Sequence, residues 1–226
     1  MKYFLKIKSE ITDDIIDTVF SQVFRTNYSE NGFVVISFNE LITSEYLRAS
    51  MVALKKGLSK KCNDVFNETL DYYWLGRFNQ QNTTKFHRDN ATENSFLMLG
   101  YEPTEIDSKL YFADYHQLIT DKKIPVDQYY ELYNPIFKEG EELLTPYISS
   151  IIGFNKNSYN IVLINNSDIT SKKTLGVLHK AKIIKKDTNK DRIINSMMLY
   201  LRSAEQTKVD LKINEKEFLF TNNISE

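Results

Sequence analysis

A run of short apolar segments between residues 70 and 202 constrains the fold of this chain more than any other feature. These segments are rich in β-branched and aromatic residues, and a helix does not follow each of them. Sandwiches and jelly rolls join short strands in this way, whereas parallel α/β sheets need a helix after each strand. We therefore predict a mainly β fold with flanking helices and a jelly-roll or sandwich core. The predicted strands are Leu70–Phe78, Ser95–Gly100, Leu110–Tyr115, Asn160–Ile164, Leu175–Ile184 and Arg192–Leu201, with Thr207–Ile213 as a candidate seventh.

Two strands and two helices are predicted before this core. Residues 3–8 alternate apolar and polar side chains, and residues 32–38 are rich in β-branched residues, so both segments are predicted strands. Thr12 and Ser44 each precede apolar residues at helical spacing and are the predicted N-caps of two helices. We expect residues 1–69 to brace the outside of a sheet.

A helical insertion is predicted at residues 124–152, between two strands of the core. Its second part follows Gly140 and is bent or interrupted by Pro146. The insertion either covers a sheet face or forms a lid over a site. The apolar face of the first part of the insertion is formed by Val126, Tyr129, Tyr130, Tyr133, Ile136 and Phe137.

No linker or repeat divides the sequence, so we expect a single domain of 226 residues.

Composition limits the partners that we expect. The 29 basic and 30 acidic residues give a net charge of -1, which does not indicate a nucleic-acid or acidic-membrane partner. No stretch approaches the apolar length of a membrane span. The single cysteine, Cys62, excludes an internal disulfide and agrees with a reducing compartment. We expect a cytoplasmic protein without a signal peptide, and its oligomeric state stays open.

The strongest chemical signal is a His-x-Asp sequence at residues 87–89. Side chains two residues apart in an extended segment point to the same side, so His87 and Asp89 can bind one metal ion. His179, on a later predicted strand, can supply a third ligand. Two imidazoles and one carboxylate are characteristic of non-haem Fe(II) oxygenases, and they leave three coordination positions open.

Arg192 opens the predicted strand that follows His179, thirteen residues further along the chain. A 2-oxo acid can chelate such a metal through its keto oxygen and adjacent carboxylate, which leaves its far carboxylate to be bound by the protein. Arginine suits that task because its planar guanidinium binds both carboxylate oxygens. Arg192 is therefore the predicted cation for a 2-oxo acid.

These four residues, in this order on predicted strands, resemble the Fe(II)/2-oxoglutarate-dependent oxygenases, whose core is a double-stranded β-helix. The resemblance covers roughly residues 70–202 by strand order. It implies that His87, Asp89 and His179 bind Fe(II). It also implies that Arg192 binds the 5-carboxylate of 2-oxoglutarate.

The resemblance further implies the reaction. Oxidative decarboxylation of 2-oxoglutarate with O2 would be coupled to hydroxylation of a small molecule or an amino-acid side chain. Halogenating relatives replace the carboxylate ligand with a small residue, so the intact Asp89 implies hydroxylation or another oxidation. Many members carry Ser or Thr two residues after the arginine, whereas this chain has Ile194 there and Ser196 two residues later. Arg77 and Asn79 are candidates for the 1-carboxylate of the cosubstrate.

The same residues allow other interpretations. His87 and Asp89 can form a hydrogen-bonded surface pair without a metal, and Arg192 can pair with an aspartate in the turn before it. His116 and Asp114 are rival metal ligands, although no further histidine completes their site. At the level of the whole protein, the alternatives are a non-catalytic cupin-like module that binds a ligand or partner, and a metal-dependent isomerase or hydrolase.

Overall fold

A computed structural model of the chain describes residues 2–151, 154–205 and 213–224. These residues contain nine strands and six α-helices. The strands are Phe4–Ile7 (β1), Phe33–Phe38 (β2), Glu68–Asn79 (β3), Ser95–Tyr101 (β4), Ser108–Ala113 (β5), Ile148–Ser150 (β6), Asn160–Asn165 (β7), Leu178–Ile183 (β8) and Ile193–Ser203 (β9). The helices are Asp13–Val23 (α1), Ser44–Phe66 (α2), Tyr115–Lys122 (α3), Tyr129–Leu132 (α4), Lys138–Leu144 (α5) and Glu215–Phe220 (α6). Across these described ranges, no helix combines the length and apolar character needed to span a membrane.

The strands lie in two separate sheets, which do not join into a closed barrel. The larger sheet has the order β1-β2-β7-β4-β9-β3, with every pair antiparallel except β1 and β2. The smaller sheet has the antiparallel order β6-β5-β8. Residues 83–87 run beside β8, where His87 and His179 exchange backbone hydrogen bonds of 3.1 and 2.9 Å. Two sheets with helices outside them are compatible with the predicted jelly roll.

Helices α1 and α2 pack against one face of the larger sheet, whereas β1 and β2, from the same N-terminal segment, are strands of that sheet. Leu47 and Leu54 of α2 are fully buried against Phe96 and Met98 of β4 and their neighbours. Because side chains alternate along a strand, the other face of β4 turns toward the smaller sheet. The larger sheet therefore separates a helix-packed core from the space between the two sheets.

The starts of both N-terminal helices lie close to their predicted positions. α1 follows Thr12, as predicted, although the Thr12 side chain makes no capping hydrogen bond. The predicted cap of α2 was Ser44, but Ser44 is the first helical residue. Thr43 is the N-cap, and its hydroxyl accepts a hydrogen bond from Tyr46 N at 3.1 Å. The helix therefore begins one residue earlier than predicted.

Helix α3 is not predicted by the sequence pattern, and it shortens a predicted strand. The strand predicted to end at Tyr115 ends at Ala113, because the Asp114 side chain accepts a hydrogen bond from Gln117 N at 3.0 Å and caps the helix. The apolar residues of α3 then pack beneath the smaller sheet, in a cluster with Phe86. A capping aspartate overrides the strand tendency of the aromatic residues here.

The insertion at residues 124–152 is helical only in part. A 3-10 turn, Val126–Gln128, leads into α4, and α5 is followed by a second 3-10 turn, Thr145–Tyr147. The predicted second helical piece is wrong beyond that point, because Ile148–Ser150 pairs with β5 instead. Ile136 and Phe137 of the predicted apolar face are exposed. Most of the candidate seventh strand, residues 207–212, lies outside the described residues.

Candidate metal centre

The space between the two sheets contains a cavity of about 130 Å³. Strands β3, β4, β7 and β9 line it from the larger sheet, and β5 and β8 line it from the smaller one. Its walls are mainly aliphatic and aromatic, with Trp74 and Phe78 among them. The sequence-predicted residues that the structure brings into this one cavity are His87, Asp89, His179, Arg192 and Ser196.

His87, Asp89 and His179 form a cluster of potential metal ligands in this cavity. His87 Nε2 lies 3.4 Å from Asp89 Oδ1, and His179 Nε2 lies 3.9 Å from the same oxygen. One ligand atom from each residue lies within 4.8 Å of the others. The two nitrogens and one oxygen therefore converge on a single point from two separate segments of the chain.

Backbone pairing brings the two histidines together. His87 and His179 face each other across the isolated bridge beside β8, and their ring centroids lie 4.2 Å apart. His87 Nδ1 lies 2.8 Å from the Lys85 carbonyl oxygen, to which it donates in the neutral ring. In that tautomer Nε2 of His87 carries the lone pair that a metal requires, and it faces the Asp89 carboxylate. His179 Nδ1 is buried and has no hydrogen-bond partner among the described residues.

Burial and mutual contacts set the protonation of the cluster. Burial opposes charge on His87, but hydrogen bonds to Asp89 and to the Lys85 carbonyl outweigh it and raise the pKa of His87. Burial likewise favours neutral Asp89, but the hydrogen bond from His87 and the charges of both imidazoles lower the pKa of Asp89. Burial, followed by the charge of His87, lowers the pKa of His179 to about 4. A cation bound here would replace the proton that His87 and Asp89 share.

Arg192 and Ser196 present unpartnered polar atoms at the cavity. The Arg192 side chain donates from Nε to Ser108 Oγ at 3.2 Å and from Nη1 to the Gln80 carbonyl at 3.0 Å, and its guanidinium carbon lies 5.1 Å from the Tyr101 ring centroid. Arg192 Nη2 and Ser196 Oγ are buried and have no hydrogen-bond partner within the described ranges. The proposed pairing of Arg192 with a neighbouring aspartate is not what the structure contains. A buried cation with a free donor is suited to bind an anion.

Arg77 and Asn79, predicted as candidates for the 1-carboxylate, lie away from the cavity. The Arg77 guanidinium pairs with the Glu102 carboxylate at 3.2 Å, and neither Arg77 nor Asn79 lines the cavity. The Asn79 side chain accepts a hydrogen bond from Arg192 N at 3.0 Å. Asn79 therefore supports the backbone of Arg192, whereas Arg77 belongs to a polar group on the other face of the sheet.

The rival pair, His116 and Asp114, does not form a metal cluster. Asp114 forms an ion pair with Arg25 at 2.6 Å, and His116 is buried in α3. In the part of the chain that the structure describes, His87, Asp89 and His179 are the only group of three potential ligands close enough to share one metal ion. His116 is therefore a useful control for experiments on the site.

Asn166 is the main site-adjacent residue that sequence reasoning missed. Its side chain hydrogen-bonds to the backbone N–H and C=O of Asp89 at 2.8 and 3.0 Å. The available signal was a pair of asparagines, Asn165 and Asn166, directly after an apolar strand. Buried amides need partners, so a polar pair in that position indicates a specific structural contact.

The donor set of the cluster fits a divalent transition metal. Two imidazole nitrogens and one carboxylate oxygen are the ligands of non-haem Fe(II) sites with open positions. Nε2 of His87 faces the other two ligand atoms and suits a metal, and the unpartnered Nη2 of Arg192 suits an anionic chelator. No protein-family model and no curated protein significantly matches this chain.

Proposed function

We propose that this protein is a non-haem Fe(II) oxygenase that couples oxidative decarboxylation of 2-oxoglutarate to hydroxylation of a small molecule or an amino-acid side chain. The proposal includes a double-stranded β-helix core. Its support in the fold is the pair of facing sheets with the ligand cluster between them. Its support in the site is the chemistry of His87, Asp89, His179, Arg192 and Ser196, which all line the same cavity.

The three ligands hold the metal in this proposal. Nε2 of His87 and of His179 and a carboxylate oxygen of Asp89 bind Fe(II), while the Lys85 carbonyl keeps the His87 ring in the required tautomer. Bound Fe(II), with 2-oxoglutarate and O2, supplies the oxidising chemistry of the reaction.

Arg192 and Ser196 hold the cosubstrate. The Arg192 guanidinium is positioned by Ser108 and Gln80, so its free Nη2 can donate to the 5-carboxylate without reorganisation. Ser196 lies four residues further along the chain, on β9, which begins directly after Arg192, and its unpartnered hydroxyl can donate a second hydrogen bond in the same cavity. The oxygen atoms of 2-oxoglutarate would satisfy both donors.

The apolar walls of the cavity determine which substrates can enter beside the cosubstrate. Trp74, Phe78 and the aliphatic residues of β4 and β7 surround the ligands and limit water, which strengthens every polar contact inside. The small volume of the cavity, about 130 Å³, suits a cosubstrate and one reacting group of the substrate. A small molecule or a single side chain is therefore the proposed substrate class.

The single observation that carries the proposal is the shared cavity. A 2-His-1-carboxylate cluster and a buried arginine with a free nitrogen line the same space, although they come from separate segments of the chain. A metal site for hydrolysis or a simple binding pocket does not require the second feature.

The test is an anaerobic titration of metal-free protein with Fe(II) and then 2-oxoglutarate, followed by visible absorption. We expect the weak charge-transfer band of chelated 2-oxoglutarate in the wild type. His179→Ala should abolish the band and weaken Fe(II) binding by more than about 100-fold, because one of three ligands is lost. His116→Gln is the matched control, since it removes a buried histidine outside the site, and should retain the band.

Two outcomes would contradict the proposal in different ways. Fe(II) binding without the 2-oxoglutarate band would favour a metal-dependent isomerase or hydrolase. Folded protein that binds neither would favour a non-catalytic binding module. Circular dichroism of each variant establishes that the fold is retained.

A further inference from the structure

Asn166 directly follows β7 and is fully buried beside the segment that carries Asp89. We infer that Asn166 is a positioning residue, which fixes the direction of the Asp89 carboxylate and thereby the affinity of the metal site. The inference rests on the metal site of the proposed function. It concerns a residue that acts through Asp89 and does not itself touch a ligand.

The Asn166 amide holds the Asp89 backbone from both sides. Asp89 N donates to Asn166 Oδ1 at 2.8 Å, and Asn166 Nδ2 donates to the Asp89 carbonyl at 3.0 Å. This reciprocal pair reproduces the two hydrogen bonds that a residue exchanges with its partner in an antiparallel ladder. The N–H and C=O groups on the two sides of the Asp89 Cα are both fixed, so the direction in which its Cα–Cβ bond points is fixed as well.

Both N–H groups of the Asn166 amide are occupied, which leaves it no donor for another role. Besides its two contacts with Asp89, Nδ2 donates to Ser95 Oγ at 2.9 Å, and Ser95 Oγ in turn donates to the Asn166 carbonyl at 3.2 Å. Ser95 is fully buried at the start of β4. The amide is thus anchored to the larger sheet, and it holds the Asp89 backbone at a fixed position relative to that sheet.

Arg88 ties the same two segments together a second time. Its Nε donates to the Asn166 carbonyl at 3.2 Å, and its Nη1 pairs with the Asp168 carboxylate at 2.9 Å. Its Nη2 donates to the carbonyls of Ala91 and Thr92 at 3.2 and 3.1 Å. The turn after His87 is therefore closed on itself and fastened to the residues after β7, which preorganises the backbone that carries the Asp89 carboxylate.

The hydrogen bonds between Asn166 and Asp89 matter because the other two ligands, His87 and His179, are held by a different part of the fold. His87 and His179 are held by the bridge between residues 83–87 and β8, in the smaller sheet. Asp89 is held by Asn166, which is anchored to the larger sheet. Without Asn166 the carboxylate would lose its fixed relation to the two imidazoles. A ligand displaced by about 1 Å is enough to weaken a designed or natural site.

The experiment compares metal affinity in Asn166→Ala and Asn165→Ala, with Co(II) as a spectroscopic probe for the metal alone. Asn165 is the matched control, because it is the preceding residue and equally buried. Its side chain bonds to Val23 O at 2.8 Å and to Ser167 N at 3.0 Å, and neither contact involves the ligands. We expect Asn166→Ala to weaken Co(II) binding by about 10- to 100-fold, and Asn165→Ala to change it less than about twofold.

The outcomes separate this inference from the proposed function. Wild type that binds Co(II) with no loss in Asn166→Ala overturns the inference and leaves the metal site standing. Equal losses in both variants also overturn it, because they indicate a general weakening of the structure. Wild type that binds no Co(II) overturns the metal site, and the inference with it.

Hydrogen exchange supplies a measurement that needs no variant. The Asp89 amide donates to Asn166, whereas the exposed Asn90 follows it in the chain. In metal-free wild type we expect the Asp89 amide to exchange at least about 100-fold more slowly than the Asn90 amide. Similar rates for the two amides would overturn the positioning role, even if Asn166→Ala cannot be folded.

Discussion

Arg192 places a positive charge among apolar side chains with only 1% of its surface exposed. An unpaired buried cation is unfavourable, and the contacts of Arg192 with the Gln80 carbonyl, Ser108 and the Tyr101 ring offset this only in part. The remaining nitrogen, Nη2, has no hydrogen-bond partner among the described residues and can donate to a ligand. At the scale of single residues, the buried charge of Arg192 lowers the stability of the folded protein, and the same charge makes the cavity suited to bind an anion.

Arg192→Gln should weaken 2-oxoglutarate binding while Fe(II) binding is unchanged. Loss of a charge-assisted hydrogen bond is worth about 1.5–3 kcal/mol, or roughly 10- to 100-fold in the dissociation constant. Arg192→Lys retains the charge but not the planar fork, so its loss should be smaller. The measurement is the 2-oxoglutarate dependence of the charge-transfer band, with Arg77→Gln as the control. An unchanged dissociation constant in Arg192→Gln would assign the cosubstrate to another residue.

At the scale of elements, ion pairs join helix α5 to β8 and to residues 83–87, the segment that leads into His87. Glu141 on α5 pairs with Lys180 of β8 and also with Lys85, at 3.1 Å, in the segment that leads to His87. These contacts lower the pKa of Glu141, chiefly through the hydrogen bond from Lys180. The insertion is thereby attached to the smaller sheet beside the ligands, whereas α1 and α2 lie behind the larger sheet. The insertion is therefore in direct contact with the segment that leads to His87.

Glu141→Gln should loosen this attachment without unfolding the sheets. The Glu141 and Lys85 side chains are partly exposed, so we expect a local loss of about 0.5–1 kcal/mol. Hydrogen exchange of residues 138–147 should then be about two- to fivefold faster, as measured by mass spectrometry. Glu142→Gln is the control, because Glu142 pairs with Lys138 within the helix. Identical exchange in the two variants would show that the contact with the lysines does not hold α5.

At the scale of the whole molecule, two buried histidines make the fold sensitive to acid. His116 lies in α3, surrounded by Asp114, Arg25 and Asp168, and burial lowers its pKa to about 4. His179 is lowered to a similar value in the cavity. The folded protein keeps both rings neutral, whereas the unfolded chain binds protons below about pH 6.5. Protons therefore favour the unfolded state as the pH falls from about 6.5 toward 4.

His116→Gln should remove one part of this acid sensitivity. The neutral His116 ring contributes fully above pH 6.5, and lowering the pH from 7 to 5 should reduce the free energy of unfolding by about 2 kcal/mol through this group. Urea unfolding of metal-free protein at both pH values gives the loss for the wild type and for His116→Gln. The His179 contribution is common to both proteins and cancels in the comparison. An equal loss in the variant would contradict a neutral buried His116.

Local sequence patterns predicted most strands and the two N-terminal helices, because alternation and helical spacing depend on near neighbours. They failed at α3, where one capping aspartate, Asp114, outweighs the aromatic strand pattern. They also failed for Arg77, because the side of a strand that faces a cavity depends on pairing register and on irregularities such as the one between Tyr72 and Trp74. Local patterns could not predict the role of Asn166, because its partner, Asp89, is distant in the sequence.

The sequence by itself determined the chemistry that is available to this protein. It set the His-x-Asp spacing that directs His87 and Asp89 to one side, and it provided no basic excess for a nucleic-acid partner. Only the tertiary structure decided that His179 meets them and that Arg192 lines the same cavity. Side-chain alternation is a local property, whereas the approach of distant strands depends on how both sheets bury their apolar faces together.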